Sequence, residues 1–182
     1  MTVIFVAILA FSAAWFERNN ATQISSKARV VDGDSLELKG QKVRLVGIDA
    51  PELNQICQNN QGDYSCGQKA RDHLRYLINN AQKVDCLGEG DDKYGRLLAE
   101  CFIGDMSLNS QMVQDGWAIS YGGFDWTERA ARKQKIGLWA GTFDDPSAWR
   151  AKTGGLAENQ SGAILRQLWR RVGAWFNSLG EN

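Results

Sequence analysis

Arg44 and Arg96 are the two cations, and Asp34, Asp49 and Glu52 the three anions, whose neighbours in the chain could support chemistry. In the stretch Arg44-Leu-Val-Gly-Ile-Asp49-Ala-Pro-Glu52 the arginine falls within a strand pattern, where Arg44, Val46 and Ile48 face one side. Asp49 and Glu52 leave the strand end, and Pro51 stiffens the turn between them. Asp34, in the turn Asp32-Gly33-Asp34, can approach the same end of the sheet from a separate hairpin. Carboxylates gathered in this way repel one another unless a cation sits among them, and an oxygen-only donor set suits a hard ion such as Ca²⁺. An arginine beside such a site has a use, because its planar fork grips phosphoryl oxygens through parallel hydrogen bonds. Hydrolysis of a phosphodiester builds charge on those oxygens and needs a water that a carboxylate can orient or deprotonate. The run Asp91-Asp92-Lys93-Tyr94-Gly95-Arg96 brings the second arginine to a loop-to-strand junction. Taken singly, each signal has a plainer reading: a hairpin turn, a surface ion pair or a solvated loop. His73, the single histidine, sits in a helical pattern beside Leu74 and reads as structural.

The elements that must position these residues follow from periodicity. Arg29 to Val31 and Ser35 to Leu38 flank the Asp32–Asp34 turn, and Lys42 to Ile48 alternates as a third strand. A loop rich in Asn, Gln and Gly leads to Cys66. From Gly67 to Ala81 the pattern turns helical, with Ala70, Leu74, Leu77 and Ile78 on one face. Lys83–Leu87 and Leu97–Ile103 are two more strands, and helices are expected over Leu108–Trp117 and Thr127–Leu138, with Trp139 and Trp149 packing back. The expected fold is α+β and mainly β: a five-stranded, partly open barrel of the oligonucleotide-binding (OB) type with three helices. Residues 27–152 are its expected span, followed by a linker over 153–162 (TGGLAENQSG) and an amphipathic helix over Ile164–Leu179. That helix could dock on the body of the chain or lie on a membrane surface.

The formal net charge of +0 removes any general pull toward nucleic acid, so such a partner would need a local basic cleft. Residues 2–16 form an uncharged apolar run, short for a membrane span and fit for either a signal peptide or a short anchor, before a polar spacer over 17–26. A buried core helix is a third reading, disfavoured because the run is apolar on every face. The four cysteines bracket two short loops, which favours Cys57–Cys66 and Cys86–Cys101 disulfides; without a CxxC, a zinc site is disfavoured. Paired cysteines and the apolar run together predict an exported protein, periplasmic or secreted, with tethering to the membrane by the N-terminal segment also open.

The strings VDGDS, RLVGIDAPE and DKYGRLLAE, followed by LNSQMVQDGWA and KQKIGLW, closely resemble the staphylococcal nuclease-like (thermonuclease) family over Ala28 to Ala140. The resemblance implies a five-stranded OB barrel with three helices and Ca²⁺-dependent cleavage of DNA and RNA to 3′-phosphate ends. Carried over by position, Arg44 and Arg96 match the phosphate-gripping arginines and Glu52 the carboxylate acting on the attacking water. Asp34 and Asp49 match metal ligands, and Ala50, where Thr is frequent, a backbone-carbonyl ligand. Lys93 and Tyr94 match contacts to a terminal phosphate, while Tyr121 lies about one position short of a base-stacking tyrosine. The founding member is strongly basic and lacks cysteines, so weaker, more salt-sensitive binding and a disulfide-braced fold are expected here. A monomer is expected. The alternative is a non-catalytic module of the cell envelope that keeps the barrel and binds nucleic acid or protein.

Overall fold

The computed structural model of the chain describes residues 22–153. The apolar segment 2–16, most of the linker and the helix expected over 164–179 lie outside the described residues.

Eleven short strands and four α-helices follow one another in the described residues. The strands are β1 (Thr22–Ser26), β2 (Ala28–Val30), β3 (Ser35–Leu38), β4 (Gln41–Leu45), β5 (Ile48–Asp49), β6 (Ile56–Asn59), β7 (Gly62–Ser65), β8 (Val84–Asp91), β9 (Leu97–Ile103), β10 (Met106–Ser107) and β11 (Ile119–Ser120). The helices are α1 (Cys66–Ile78), α2 (Leu108–Gln114), α3 (Asp125–Gln134) and α4 (Pro146–Thr153), with a 3₁₀ turn at Gly137–Ala140. The main sheet runs β1-β8-β9-β4-β3-β2, with β10 added to β9. Its neighbours pair antiparallel except β4 and β9, which run parallel. The sheet curls into a half-barrel, as the OB expectation requires.

The concave side of the sheet is filled by Leu36, Leu38, Val43, Leu45, Val84 and Ala99, against Leu74 of α1 and Met112 of α2. Each fully buried aliphatic side chain of this kind contributes about 1.5–3 kcal/mol. Ala70 and Leu74, four apart on α1, form the buried stripe that the helical spacing implied. Asn109 of α2 is fully buried and fastens that helix to the sheet. Its Nδ2 donates to the carbonyls of Val46 (2.8 Å) and Ala99 (3.2 Å), and its Oδ1 accepts from the Cys101 amide.

Several boundaries differ from expectation. The strand expected over 42–48 is broken at Gly47, whose φ of +78° and whose approach to the Gly122 carbonyl exclude a side chain. The break turns Ile48–Asp49 out of the main sheet to pair with Ile119–Ser120. The polar spacer supplies strand β1, which covers the free edge of β8. The loop before Cys66 is a hairpin, β6–β7, clamped by the Cys57–Cys66 disulfide. Cys86 and Cys101 face each other across β8 and β9 and form the second disulfide, so both expected pairings are present. The second expected helix ends at Gln114 and the third runs Asp125–Gln134, where Lys135 turns to a left-handed φ of 53°. A fourth helix, α4, follows an Asp145 whose carboxylate accepts from the Ser147 amide, the usual start of a helix with Pro at its first position. Among the described residues, no helix is long and apolar enough to cross a membrane.

Candidate active site

The break at Gly47 decides where the acidic residues go. Arg44 is the penultimate residue of β4, Asp34 sits just before β3, and Asp49 closes the short β5. Ser35 stands opposite Arg44 in the β3–β4 register, which brings Asp34 within reach of the arginine. The guanidinium of Arg44 bridges two carboxylates, donating through Nη1 to Asp34 Oδ1 (2.9 Å) and through Nη2 to Asp49 Oδ1 (3.0 Å). All three side chains are buried, at 5–6% exposure. Asp34 also accepts from the Ala50 amide and the Ser35 hydroxyl. Glu52 stands at the mouth, its side chain 40% exposed. Its loop lies on the start of α1, where a Cβ on Gly67 would fall 1.7 Å from the Glu52 carbonyl. Gln55, fully buried, holds the turn by accepting from the Glu52 amide (3.2 Å).

The electrostatics separate the carboxyls. Burial works to raise Asp34, but the Arg44 charge and hydrogen bonds from its neighbours hold it below the usual carboxylate range. Burial pushes Asp49 up to about 6, even though arginines donate to it. Asp32, hydrogen-bonded to the Asp34 amide, is pushed up to about 7 by burial and by the neighbouring Asp34 charge. The sequence offered Asp32 only as half of a turn; its place beside Asp34 makes it the proton-holding member of the pair.

Arg96 belongs to a second group. Leu98 lies beside Arg44 in the parallel β4–β9 pairing, and Arg96 immediately precedes β9. Its Nε donates to Asp92 Oδ2 (2.7 Å), and its guanidinium stands 5.4 Å from the centre of the Tyr94 ring. Lys93 approaches the same ring at 5.0 Å. Asp92 also accepts from the amides of Tyr94 and Arg96, so one carboxylate sets the whole turn. Tyr121 lies next to the Gly47 break, its amide donating to the Gly47 carbonyl.

The structure therefore brings Asp34, Arg44, Asp49, Ala50 and Glu52 into one pocket and gathers Lys93, Tyr94 and Arg96 on the β8–β9 turn. It adds a residue that no reading of the sequence singled out. Arg150 of α4 donates to Asp49 Oδ1 (3.0 Å) and Oδ2 (2.8 Å) and to Glu52 Oε1 (2.9 Å).

Comparison with known proteins decides the family. The family described as Staphylococcal nuclease homologue matches residues 42–141, more than half of the 182-residue chain. The chain belongs to the staphylococcal nuclease homologue family. It is 30% identical to the succinoglycan biosynthesis protein ExoI of Rhizobium meliloti (strain 1021), over 73% of each chain. An uncharacterized endonuclease of Haemophilus influenzae is 30% identical over 82% of this chain and 83% of its own. The micrococcal nuclease of Shigella flexneri is 32% identical over 67% of this chain and 77% of its own.

The match to the staphylococcal nuclease homologue family takes in Arg44, Asp49, Glu52, Arg96 and Tyr121, and leaves Asp34 and Arg150 outside its bounds. Among the described residues, no three His, Cys, Asp or Glu side chains are grouped so as to hold a metal ion by themselves. Asp34 and Asp49 are spanned by Arg44, and Asp49 and Glu52 by Arg150. The donors on offer are nonetheless all oxygen, which fits a hard cation that completes its shell with water.

Proposed function

We propose that this chain is a Ca²⁺-dependent nuclease that hydrolyses phosphodiester bonds of DNA or RNA and leaves 3′-phosphate ends. The observation that carries the reading is the buried Arg44 bridging Asp34 and Asp49, with the half-exposed carboxylate of Glu52 at the mouth of the same pocket. Membership of the family and the nuclease names borne by relatives support the same activity. Asp34, Asp49 and the Ala50 carbonyl are the groups that would hold Ca²⁺. When bound, the ion supplies a positive charge that polarises a phosphoryl oxygen. Glu52 takes a proton from the attacking water. The water oxygen bonds to phosphorus as the P–O5′ bond breaks, and the departing 5′ oxygen gains a proton. One product then ends in a 3′-phosphate and the other in a 5′-hydroxyl. Arg44 and Arg96 bind the oxygens on which charge grows, with Lys93 and Tyr94 as further contacts to a terminal phosphate and Tyr121 as the stacking side chain. Two disulfides support action in an oxidising compartment, and the apolar run at 2–16 supports export or anchoring.

The test uses the full chain with plasmid DNA and with RNA, in Ca²⁺ or in chelator, beside Glu52→Gln and Arg44→Lys. Cleavage should need Ca²⁺ and fall by about 10²-fold or more in each variant, with 3′-phosphates detected by end-labelling before and after phosphatase. Full activity in both variants would remove the proposed site.

A further inference from the structure

We propose that Arg150 is a built-in counter-cation of the acidic pocket, so that docking of α4 through Arg150 and binding of a divalent metal at Asp49 oppose each other. This rests on the reading of that pocket as a metal site.

The contacts make the case. Arg150 grips both oxygens of Asp49 and one of Glu52, at 2.8–3.0 Å, and its side chain is only 11% exposed. It thus makes to these carboxylates the contacts that a hard cation would make. Asp49 Oδ1 accepts from Arg44 and Arg150 together, and Oδ2 accepts from Arg150. A carboxylate has about four lone-pair positions, and three are already taken. A metal ion arriving at Asp49 meets a guanidinium of like charge on the same oxygens, in a setting with little water to screen them. One of the two must give way.

The chain is built to deliver this arginine. Arg150 lies 101 residues from Asp49 and arrives by a strap that is fastened separately. Thr142 and Gln58 exchange backbone hydrogen bonds at 2.8 and 2.9 Å, tying the strap to the β6–β7 hairpin. That hairpin is itself closed by the Cys57–Cys66 disulfide. Gln55, whose Oε1 holds the Glu52 amide, donates through Nε2 to the Asp144 carbonyl at 2.7 Å. The start of α4 is therefore fixed whether or not Arg150 is engaged. Beyond it, α4 has only two turns, in which Ser147, Trp149 and Arg150 are partly buried. Release of Arg150 removes three hydrogen bonds that tie the second turn of α4 to the pocket, so that turn is expected to loosen while its root stays in place. Glu52 is freed by the same movement, since Oε1 is the atom that Arg150 holds.

The experiment titrates Ca²⁺ alone, without nucleic acid, into metal-free full-length protein followed by calorimetry, for the natural chain, Arg150→Gln and Arg150→Lys. Arg150→Gln should bind Ca²⁺ about 10-fold tighter than the natural chain, with Arg150→Lys between them. Hydrogen exchange supplies a readout that needs no variant: Ca²⁺ should speed exchange of the amides of residues 149–153 in the natural chain. If Arg150→Gln does not fold, the Lys variant and the exchange measurement carry the test. Equal or weaker Ca²⁺ binding by the variants, or α4 amides that Ca²⁺ slows or leaves alone, overturns the opposition; weaker binding would make Arg150 part of the metal-competent site. Absence of Ca²⁺ binding in every form would overturn the metal reading as well, whereas Ca²⁺-dependent cleavage with equal affinities would sink only the role of Arg150.

Discussion

The acidic pocket and the β8–β9 turn use the same pairing, arginine with aspartate, in opposite ways. In the pocket, Arg44 is 5% exposed and its partners come from the β3 end and from β5, with Arg150 reaching in from α4. On the turn, Arg96 is 21% exposed and its partner Asp92 lies four residues away, in the same turn. The first pairing is assembled by the whole fold and is costly to break. The second is local, with its partner Asp92 in the same turn. Under the proposed function, the first setting suits a guanidinium that keeps a fixed place and the second one that follows a moving phosphate.

The difference is sharpest in Arg44→Ala. Removing one partner leaves Asp34 and Asp49 buried without their shared cation, and breaking such a pair costs about 3–5 kcal/mol. Urea unfolding of the metal-free protein should show that loss. A change below about 1 kcal/mol, the worth of an exposed pair, would erase the contrast between the two regions.

Next in size is the hairpin that roots the strap. Replacing Cys57 and Cys66 by alanine opens a loop with a separation of 9 residues, and closing a loop of that length is worth about 2–3 kcal/mol in the chain-entropy account. Because Gln58 and Gln55 carry the strap from this hairpin, the double variant should also speed hydrogen exchange of residues 149–153. Loss of stability with α4 exchange unchanged would show that the strap is anchored independently of the disulfide.

How far these regions could be read from the sequence follows the same division. The residues of the turn are consecutive, so DKYGR carried its own signal, and only the organising role of Asp92 needed coordinates. Arg44, Asp49 and Glu52 also fall within nine residues, and the DGD turn located Asp34. Arg150 had no such context. Asp145-Pro146 announces a helix start, but nothing in PSAWRAKT says that this helix turns an arginine onto carboxylates 101 residues away. β1 was hidden for a different reason: TQISS has one aliphatic residue, and its strand state comes from pairing with the edge of β8. The 42–48 strand was overextended because alternation continues through Gly47, whereas the backbone there turns to a positive φ.

The pH response tests the buried side of the comparison again, with a smaller expected effect. Asp32 is raised to about 7, so the fold favours its protonated form, while an unfolded chain ionises it near its ordinary value of 3.8. A raised acid of this kind stabilises the fold at low pH and loses that contribution as pH climbs from about 4 toward 7. Asp49, raised to about 6, acts in the same direction, and Asp34, lowered, acts in the other. Asp32→Asn should therefore flatten the alkaline fall of the metal-free protein, by on the order of 1–2 kcal/mol between pH 5 and 8 once sharing of the proton with Asp34 is allowed for. Unfolding curves for both forms across that range decide it, and parallel pH profiles would mean that Asp32 carries no proton near neutrality.

Arg96→Ala should give the smallest change in stability and, with it, the clearest statement of what the turn is for. The guanidinium is partly exposed and its loss leaves Asp92 still accepting from the amides of Tyr94 and Arg96, so the turn keeps its shape. The pair is partly buried, so its loss should cost more than the about 0–1 kcal/mol of an exposed pair but less than that of the buried Arg44 bridge, and the unfolding midpoint should move only a little. If the side chain binds the phosphoryl group as charge develops on it, cleavage should nevertheless fall by about 10²-fold or more. Stability and activity would then respond in opposite proportion to Arg44→Ala, where both are lost together. Asp92→Ala makes the complementary change: it leaves the guanidinium in place but frees the turn that aims it. Its cleavage should drop less than that of Arg96→Ala, because the charge remains and only its placement is lost. A stability loss in Arg96→Ala that matches Arg44→Ala would make the turn structural after all, and unchanged cleavage would take Arg96 out of the site.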